Sequence, residues 1–375
     1  MAAFFVSFDG YVMVLALPAI SSDFHASVPA LADLGSVFAL GTVVGLPIAM
    51  LADRLGRRRL LAVAVAGFSL ANLASAAAPG LWWLAGIRAG AVTFETVAAS
   101  VATALVVEEV NADLRGLAVA GLAIAAGAGG GLTTLLYPLL APHWRWLYLL
   151  GSPGLVFAVA LARWLPESRA WAAVRHERVP IAVLLRPPWR ARLLLVAGSA
   201  ALGAVLYEPA GLLVAFFGSR NLGLGPAAIS AVVVVSGLAS IPAFPLGGRL
   251  SDRWGRRRLA AGLTLTTALF AAGTFAGTTA LYWVGNVLWS VLASASVPVI
   301  GAWTGELFPT RARATSEAAA ALAAAIGGVA GLQLVGLLQP RVGLGTGVAA
   351  VATAAVVGAA LLLLLPETAG DRLPQ

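Results

Sequence analysis

The chain has 375 residues, of which 60% are hydrophobic and 11% charged, with a mean hydropathy of +0.92. Soluble domains hold roughly half apolar and a quarter charged residues, so a water-soluble fold is excluded and the solvent is largely lipid. The formal charge of +8 rests on arginine alone, without lysine, and the lack of cysteine excludes disulfides and thiolate metal sites. That charge follows from where the arginines sit and does not point to nucleic acid.

Twelve apolar runs of about 17–27 residues are each long enough to cross a hydrocarbon core of roughly 30 Å. The first six are Phe4–Ile20, Ala30–Leu51, Leu60–Ala78, Leu81–Val107, Leu117–Leu140 and Leu147–Leu165. After a polar stretch come Leu193–Phe217, Ala227–Leu246, Leu259–Thr278, Leu281–Trp303, Thr315–Leu338 and Val342–Leu365. Only helices or closed barrels satisfy the backbone in lipid, and these runs lack the alternation of barrel strands. No charged region precedes the first run and no small-residue cleavage site follows it, so it is expected to be a retained helix.

Between the second and third runs lies Leu51-Ala52-Asp53-Arg54-Leu55-Gly56-Arg57-Arg58-Arg59-Leu60. It returns 199 residues later as Leu250-Ser251-Asp252-Arg253-Trp254-Gly255-Arg256-Arg257-Arg258-Leu259, with eight of ten positions identical. The correspondence extends further at offsets of 198 to 200. Glu108 and Arg115 recur as Glu306 and Arg313, Pro166-Glu167-Ser168 as Pro366-Glu367-Thr368, and Gly127 and Gly131 as Gly327 and Gly331. The predicted fold class is an all-α integral membrane protein with twelve transmembrane helices in two pseudo-symmetric six-helix bundles. The expected bundles cover residues 1–165 and 193–375, joined by a cytoplasmic linker over 166–192.

With loops assigned alternately to two sides, twenty of the 24 arginines share the side of the N-terminus and of both repeats. Arg145, Arg220 and Arg341 fall opposite, and Arg88 lies within a run. The positive-inside rule then places both termini and both repeats in the cytoplasm of a multi-pass protein of the cell membrane.

An ionisable side chain at a helix centre costs about 2.5–3.5 kcal/mol on insertion scales, so each one marks a functional hypothesis. Asp9 lies in the first run, Arg88 and Glu95 in the fourth, and Glu208 in the seventh, 199 residues after Asp9. The tenth run carries Tyr282, Trp283, Asn286 and Trp289, and Gln333 is an isolated amide in the eleventh. Polarity in runs one, four, seven and ten, with bland runs three, six, nine and twelve, is what a central water-filled path lined by the first set would leave. Arg88 and Glu95 share a face, but an axial separation of about 10 Å is expected to prevent direct pairing without movement or a bridging group. The glycines at 127–131 and 327–331 read as close helix packing, since no nucleotide-binding residues follow them. Asp23, His25 and Asp33 read as interfacial. The histidines are scattered and no metal spacing or nucleophile elbow occurs, so no enzyme, metal or cofactor is expected.

These residues resemble the major facilitator superfamily. Asp-Arg-x-Gly-Arg-Arg-Arg at 53–59 and 252–258 is similar to its signature between helices two and three and between eight and nine. Glu108 with Arg115-Gly116, Pro166-Glu167-Ser168, Glu306-Leu307-Phe308-Pro309-Thr310-Arg311-Ala312-Arg313 and Pro366-Glu367-Thr368 resemble the sugar-porter pattern, much of which organic-acid/proton symporters share. Asp9-Gly10-Tyr11, and Arg88 followed by Glu95, look more like the organic-acid branch. The amide cluster by which sugar porters hold a hexose is missing, as is the Gly-Pro pair of drug/proton antiporters in helix five.

The resemblance implies a cytoplasmic latch that holds the bundles together on that face and favours an outward-open state. Its members are Asp53, Arg54, Gly56, Arg57, Arg58, Glu108, Arg115 and Glu167, with Asp252, Arg253, Gly255, Arg256, Arg257, Glu306, Arg313 and Glu367 in the second half. On electrostatic grounds Asp53 and Asp252 can accept bonds from neighbouring arginines, and each can cap a nearby helix N-terminus. The expected function is secondary transport of a small solute by alternating access, with proton symport of an organic acid ahead of sugar uptake or efflux of amphipathic compounds. Asp9, Arg88, Glu95, Glu208, Tyr282, Asn286, Trp289 and Gln333 are the expected substrate and proton path. In it, the Arg88 fork suits a carboxylate and the buried acids carry the coupling proton. The expected partners are the small solute and the lipid bilayer, with no nucleic acid, and the chain is expected to act as a monomer.

Overall fold

The computed structural model describes residues 1–110, 114–167, 186–309 and 312–369, apart from the side chains of Asp53, Val107, Glu108, Arg115, Leu117, Val119 and Ala314. It divides into two compact units, Met1–Glu177 and Arg178–Gln375. In the first unit the helices are α1 (Ala2–Asp23), α2 (Val28–Ala49), α3 (Ala52–Leu55), α4 (Arg57–Ala76), α5 (Leu81–Glu109), α6 (Arg115–Leu140), α7 (Trp144–Leu149) and α8 (Gly154–Trp164). In the second they are α9 (Trp189–Arg220), α10 (Pro226–Ser240), α11 (Ala243–Trp254), α12 (Arg256–Gly273), α13 (Thr279–Leu307), α14 (Arg313–Val342) and α15 (Leu344–Leu362). Among the described residues nine stretches are long and apolar enough to cross a membrane, and α10 with α11, bent by 41°, makes a tenth. The stretch Ala120–Trp164 holds two crossings, and α12 is a further one that opens on three arginines. Twelve spans follow, and the protein is a multi-pass membrane protein.

Local chemistry sets the boundaries. Ser27 accepts from the Ala30 amide at 3.4 Å to start α2, and Thr278 accepts from the Leu281 amide at 3.2 Å to start α13. Gly56 and Gly255, at φ +90° and +87°, turn the chain into α4 and α12 in a conformation that glycine adopts readily. The seventh span begins earlier than its apolar run, at Trp189, because Arg192 stacks on Trp189 at 5.0 Å and donates to the Leu307 carbonyl at 3.0 Å. Arg190 and Arg192 thus belong to α9, inside the expected linker.

Within the first unit α1 packs on α6, α2 on α5, and α4 on α5 and α8; within the second α9 packs on α14 and α15, and α13 on α10, α11 and α12. The first core joins Leu61, Val65 and Phe68 of α4 to Val97 and Val101 of α5, and the second joins Ala260 to Val299, Trp303 and Leu362. Glycines bring some backbones into contact. A Cβ on Gly129 would lie 2.0 Å from the Phe4 carbonyl, and one on Gly327 2.0 Å from that of Ala201. Gly331 meets the Val205 carbonyl in the same way, where the first unit has Thr133 donating to the Phe8 carbonyl at 3.0 Å. Gly127 and Gly131 have open space instead. The packing residues Gly129 and Thr133 therefore match Gly327 and Gly331 at an offset of 198, which corrects the pairing of Gly127 and Gly131 with them.

Candidate functional site

The first unit buries a compact polar cluster around Arg88 of α5. Its Nη2 donates to Asp9 Oδ2 at 2.5 Å and to Glu95 Oε1 at 3.3 Å, and its Nη1 donates to Asp9 Oδ1 at 3.2 Å and Asn72 Oδ1 at 3.0 Å. Tyr148 of α7 lies under the guanidinium, 5.2 Å from ring centroid to Cζ, and its hydroxyl donates to Met13 Sδ at 3.2 Å. Arg88, Asp9 and Asn72 are each 1% exposed and Glu95 is 8% exposed. A doubly bonded guanidinium–carboxylate pair is the geometry that best offsets the desolvation of two charges.

The direct Arg88–Glu95 bond corrects the expectation that seven residues of rise keep the two apart. Side chains lean toward the helix N-terminus, so Glu95 reaches back along the shared face while the long Arg88 side chain reaches forward.

Among the described residues the second unit shows no equivalent cluster. The backbone contacts match Phe4 to Ala201 and Phe8 to Val205, an offset of 197 between α1 and α9. By that register Asp9 corresponds to Leu206 and Glu208 to Tyr11. The side contacts agree, since Tyr11 lies against Gly130 and Glu208 against Gly328. Asp9 is buried and Glu208 exposed because two residues separate their positions around the helix. This corrects the reading of Asp9 and Glu208 as counterparts.

Arg88, at the offset of 198 shown by Glu108 and Glu306, corresponds to Asn286. Asn286 is buried and accepts from Ser236 Oγ at 2.9 Å, joining α13 to α10. Tyr282 is buried against Gly218 with its hydroxyl on the Val214 carbonyl at 3.2 Å, while Trp289 and Gln333 are half-buried. The structure thus brings Asp9, Arg88 and Glu95 together inside one bundle, and among the described residues the salt bridges show no such charge cluster around Glu208.

The repeat loops are braced within each unit by the glutamate that follows the sixth or twelfth span. Glu167 Oε1 accepts from the Arg58 amide at 3.0 Å, and Arg58 Nη1 donates to the Leu165 carbonyl at 3.4 Å. Glu367 accepts from the amides of Arg256 and Arg257 at 2.8 and 3.0 Å, capping α12. A Cβ on Gly56 or Gly255 would fall 2.6 or 2.7 Å from these carboxylates, so glycine also makes room for them. Arg256 pairs with Glu306 at 2.6 Å and with Asp252 at 3.4 Å, and Thr368 donates to Glu306 at 2.6 Å. Asp252 is exposed and does not cap α12, which corrects that expectation: the carboxylate seated at the helix start belongs to Glu367. Arg54 and Arg253 are exposed, Arg57 is buried, and Arg313 opens α14 half-buried. The side chains of Asp53, Glu108 and Arg115 lie outside the described ones.

Burial raises the Glu367 carboxyl, but the amides of Arg256, Ala369, Arg257 and Thr368 outweigh it and hold the carboxyl below its ordinary value. A depressed folded-state pKa gives stability that is present above the unfolded pKa of about 4.3 and lost as pH falls through the folded value. Glu367→Gln should therefore melt lower than wild type at pH 7 in detergent, by about 1 kcal/mol, with the two curves converging on acidification. A gap that stays constant down to pH 3 would contradict the charge-assisted cap.

A family model described as Major Facilitator Superfamily matches residues 1–219 and 210–375. The chain belongs to the Major Facilitator Superfamily. The multidrug efflux pump LfrA of Mycolicibacterium smegmatis is 34% identical over 170 residues, 44% of this chain and 34% of the pump. The gallate transporter of Pseudomonas putida is 33% identical over 178 residues, 46% of this chain and 40% of the relative. The 3-(3-hydroxy-phenyl)propionate transporter of Escherichia coli K12 is 32% identical over 167 residues, 41% and 40% of the two chains. The chain therefore spans between 34% and 40% of the length of these curated relatives. A D-xylose-proton symporter superposes with a TM-score of 0.79 at 16% identity, over 99% of this chain and 98% of that one. A bacterial homolog of the human lysosomal transporter Spinster gives 0.77 at 17% identity, over 96% and 94%. At these identities the likeness is one of fold.

Membership of the superfamily does not by itself point to Asn72 and Tyr148, which lie in the apolar runs three and six, where no charge marks them. One signal is visible afterwards. Ser69, Asn72 and Ser75 stand three apart, so they share a face of α4.

Proposed function

We propose that the protein is a secondary active transporter of the cell membrane that moves a small organic acid, of the aromatic carboxylate class, by alternating access in symport with protons. The observation that carries this reading is the buried Asp9–Arg88–Glu95 cluster, three ionisable side chains packed together within the membrane span. One guanidinium nitrogen, Arg88 Nη2, faces both carboxyls, Asp9 at 2.5 Å and Glu95 at 3.3 Å. Charge balance in lipid then favours one proton held between the two acids.

A solute carboxylate can take the Arg88 fork only when Asp9 releases it, and a proton on Asp9 weakens that grip. Proton and anion thus load together, and deprotonation on the other side restores the internal pair and expels the anion. Glu208, exposed beside Gly328, is a second protonatable group, and Tyr282, Asn286, Trp289 and Gln333 complete the path from the second bundle. The arginine distribution supports cytoplasmic termini and repeat loops, with the Asp23 end of α1 outside. The cycle needs the coupling proton, the solute and the bilayer, with no cofactor and a single copy of the chain.

The relatives that transport gallate and 3-(3-hydroxy-phenyl)propionate favour an aromatic acid, whereas likeness to LfrA favours efflux. Purified protein should melt higher with gallate or 3-(3-hydroxyphenyl)propionate than with xylose or a cationic dye, and more so at pH 5.5 than at pH 8. A ligand at about 100 times its Kd adds about 2.7 kcal/mol, well within reach of a melting assay. Stabilisation by the sugar alone would move the reading to sugar uptake, and by the cation alone to efflux.

A further inference from the structure

Around the charge cluster, four buried polar atoms have no hydrogen-bond partner among the described residues: Ser69 Oγ, Asn72 Nδ2 and Ser75 Oγ on α4, and Arg88 Nε on α5. Ser69 and Ser75 are 0% exposed, and Asn72 and Arg88 1%. The α4 residues form a stripe about 9 Å long on one helix face. Native interiors rarely leave such groups unmade, and bound water is the usual partner where protein atoms provide none.

The stripe faces the interruption of the sixth span. Gly151 and Gly154 flank the break between α7 and α8, and a Cβ there would come 2.6 Å from Asn72 Nδ2 and 2.3 Å from Ser69 Oγ. Irregular backbone at membrane depth is tolerated where it is buried in protein or lines water. The middle of the stripe meets the charge cluster, where Asn72 Oδ1 accepts from Arg88 Nη1 at 3.0 Å. Three residues beyond its Ser75 end, the Ala78 carbonyl accepts from Arg145 Nη2 at 3.4 Å. Arg145, with Ser22, Asp23 and His143, lines a cavity of about 540 Å³.

We infer that a file of internal waters runs along this stripe, bonded to Ser69, Asn72, Ser75 and Arg88 Nε, and connects the Asp9–Arg88–Glu95 cluster to the cavity beside Asp23. Buried waters make about three bonds each to otherwise unsatisfied groups, so two or three waters roughly account for the four atoms and their neighbours. On the proton-coupled reading above, the file gives protons an entry to the acids within the first bundle, independent of the opening that admits the solute.

The test is hydroxyl-radical footprinting by X-ray pulse on the whole protein in nanodiscs, without solute. Radicals born from bound water modify adjacent side chains even when these are sealed from bulk solvent. Tyr148, which lies under Arg88, should be modified about fivefold or more faster than Tyr282, a tyrosine equally buried in the second unit and bonded to protein. Met13, bonded to Tyr148, should be oxidised alongside it. Ser75→Val should bring Tyr148 down to the rate of Tyr282, and Ser75→Thr, which keeps the hydroxyl, should not. Equal rates for the two tyrosines in the wild type, or no change in Ser75→Val, would overturn the inference. Should Ser75→Val not accumulate, the wild-type comparison decides alone. Because neither solute nor pH gradient is used, a failure of proton coupling would leave the footprint standing, and a dry seam would leave the coupling standing.

Discussion

Arg88→Asn should lower stability by about 3–5 kcal/mol and abolish solute uptake, and adding Asp9→Leu should restore most of the stability without restoring uptake. Removing the arginine leaves the Asp9 carboxylate buried without its counter-ion, which is the expensive way to break an internal pair, whereas exchanging the whole pair for packed neutral groups is often neutral. The second bundle carries that exchange already, with Leu206 and Asn286 at the matching positions. The double variant therefore copies an arrangement that this architecture accepts. Glu95 then stands alone and can hold its proton. Arg88→Lys should fold but lose uptake by about a hundredfold or more, since an ammonium cannot make two parallel bonds, to Asp9 in one state or to the incoming carboxylate in the other. On the proposed transport function, melting curves in detergent and aromatic-acid uptake into proteoliposomes separate the effects. Wild-type stability in Arg88→Asn would contradict the charge pairing, and uptake by the double variant would remove Asp9 and Arg88 from the solute path.

The architecture is legible in the sequence because lipid leaves the backbone few options. Runs of twenty apolar residues must be helices, and the arginine-rich repeat with its 199-residue offset doubles the first half. The membership of the cluster is partly legible too, since Asp9, Arg88 and Glu95 are conspicuous charges in apolar runs. Their geometry is not. Asp9 and Glu208 match by loop-to-loop counting but stand two residues apart by helix register, because small changes in loop length shift one helix against another. Counting rise per residue also measures backbone and ignores how far an arginine and a glutamate reach toward one another. The cap of α12 comes from Glu367, 111 residues from Arg256, so no local pattern points to it. Aspartates inside the repeat are the nearer choice in sequence and the farther one in space.

Alanine at Gly327 or Gly331 should destabilise by about 3 kcal/mol, at the upper end of the cost of overpacking, whereas alanine at Gly127 or Gly131 should change stability by no more than about 0.5 kcal/mol. At Gly327 and Gly331 a Cβ would meet backbone carbonyls of α9 at 2.0 Å, and a carbonyl on a rigid helix cannot move aside as a side-chain end can. Relief requires α9 and α14 to separate, which weakens dispersion contacts along the length of the pair. At Gly127 and Gly131 nothing lies within 4 Å, and alanine is the better helix former. Read from sequence alone, the four glycines are equivalent, so the contrast tests the register directly by melting temperature in one detergent. Gly129→Ala carries the argument to function. Its Cβ would strike the Phe4 carbonyl, five residues before Asp9 on the same helix. A shift of α1 by even an ångström spoils the two parallel bonds from Arg88 to Asp9, so on the proposed transport function Gly129→Ala should reduce aromatic-acid uptake at temperatures where the protein remains folded. Uptake that falls only in step with the folded fraction would show that α1 yields at Phe4 without disturbing Asp9.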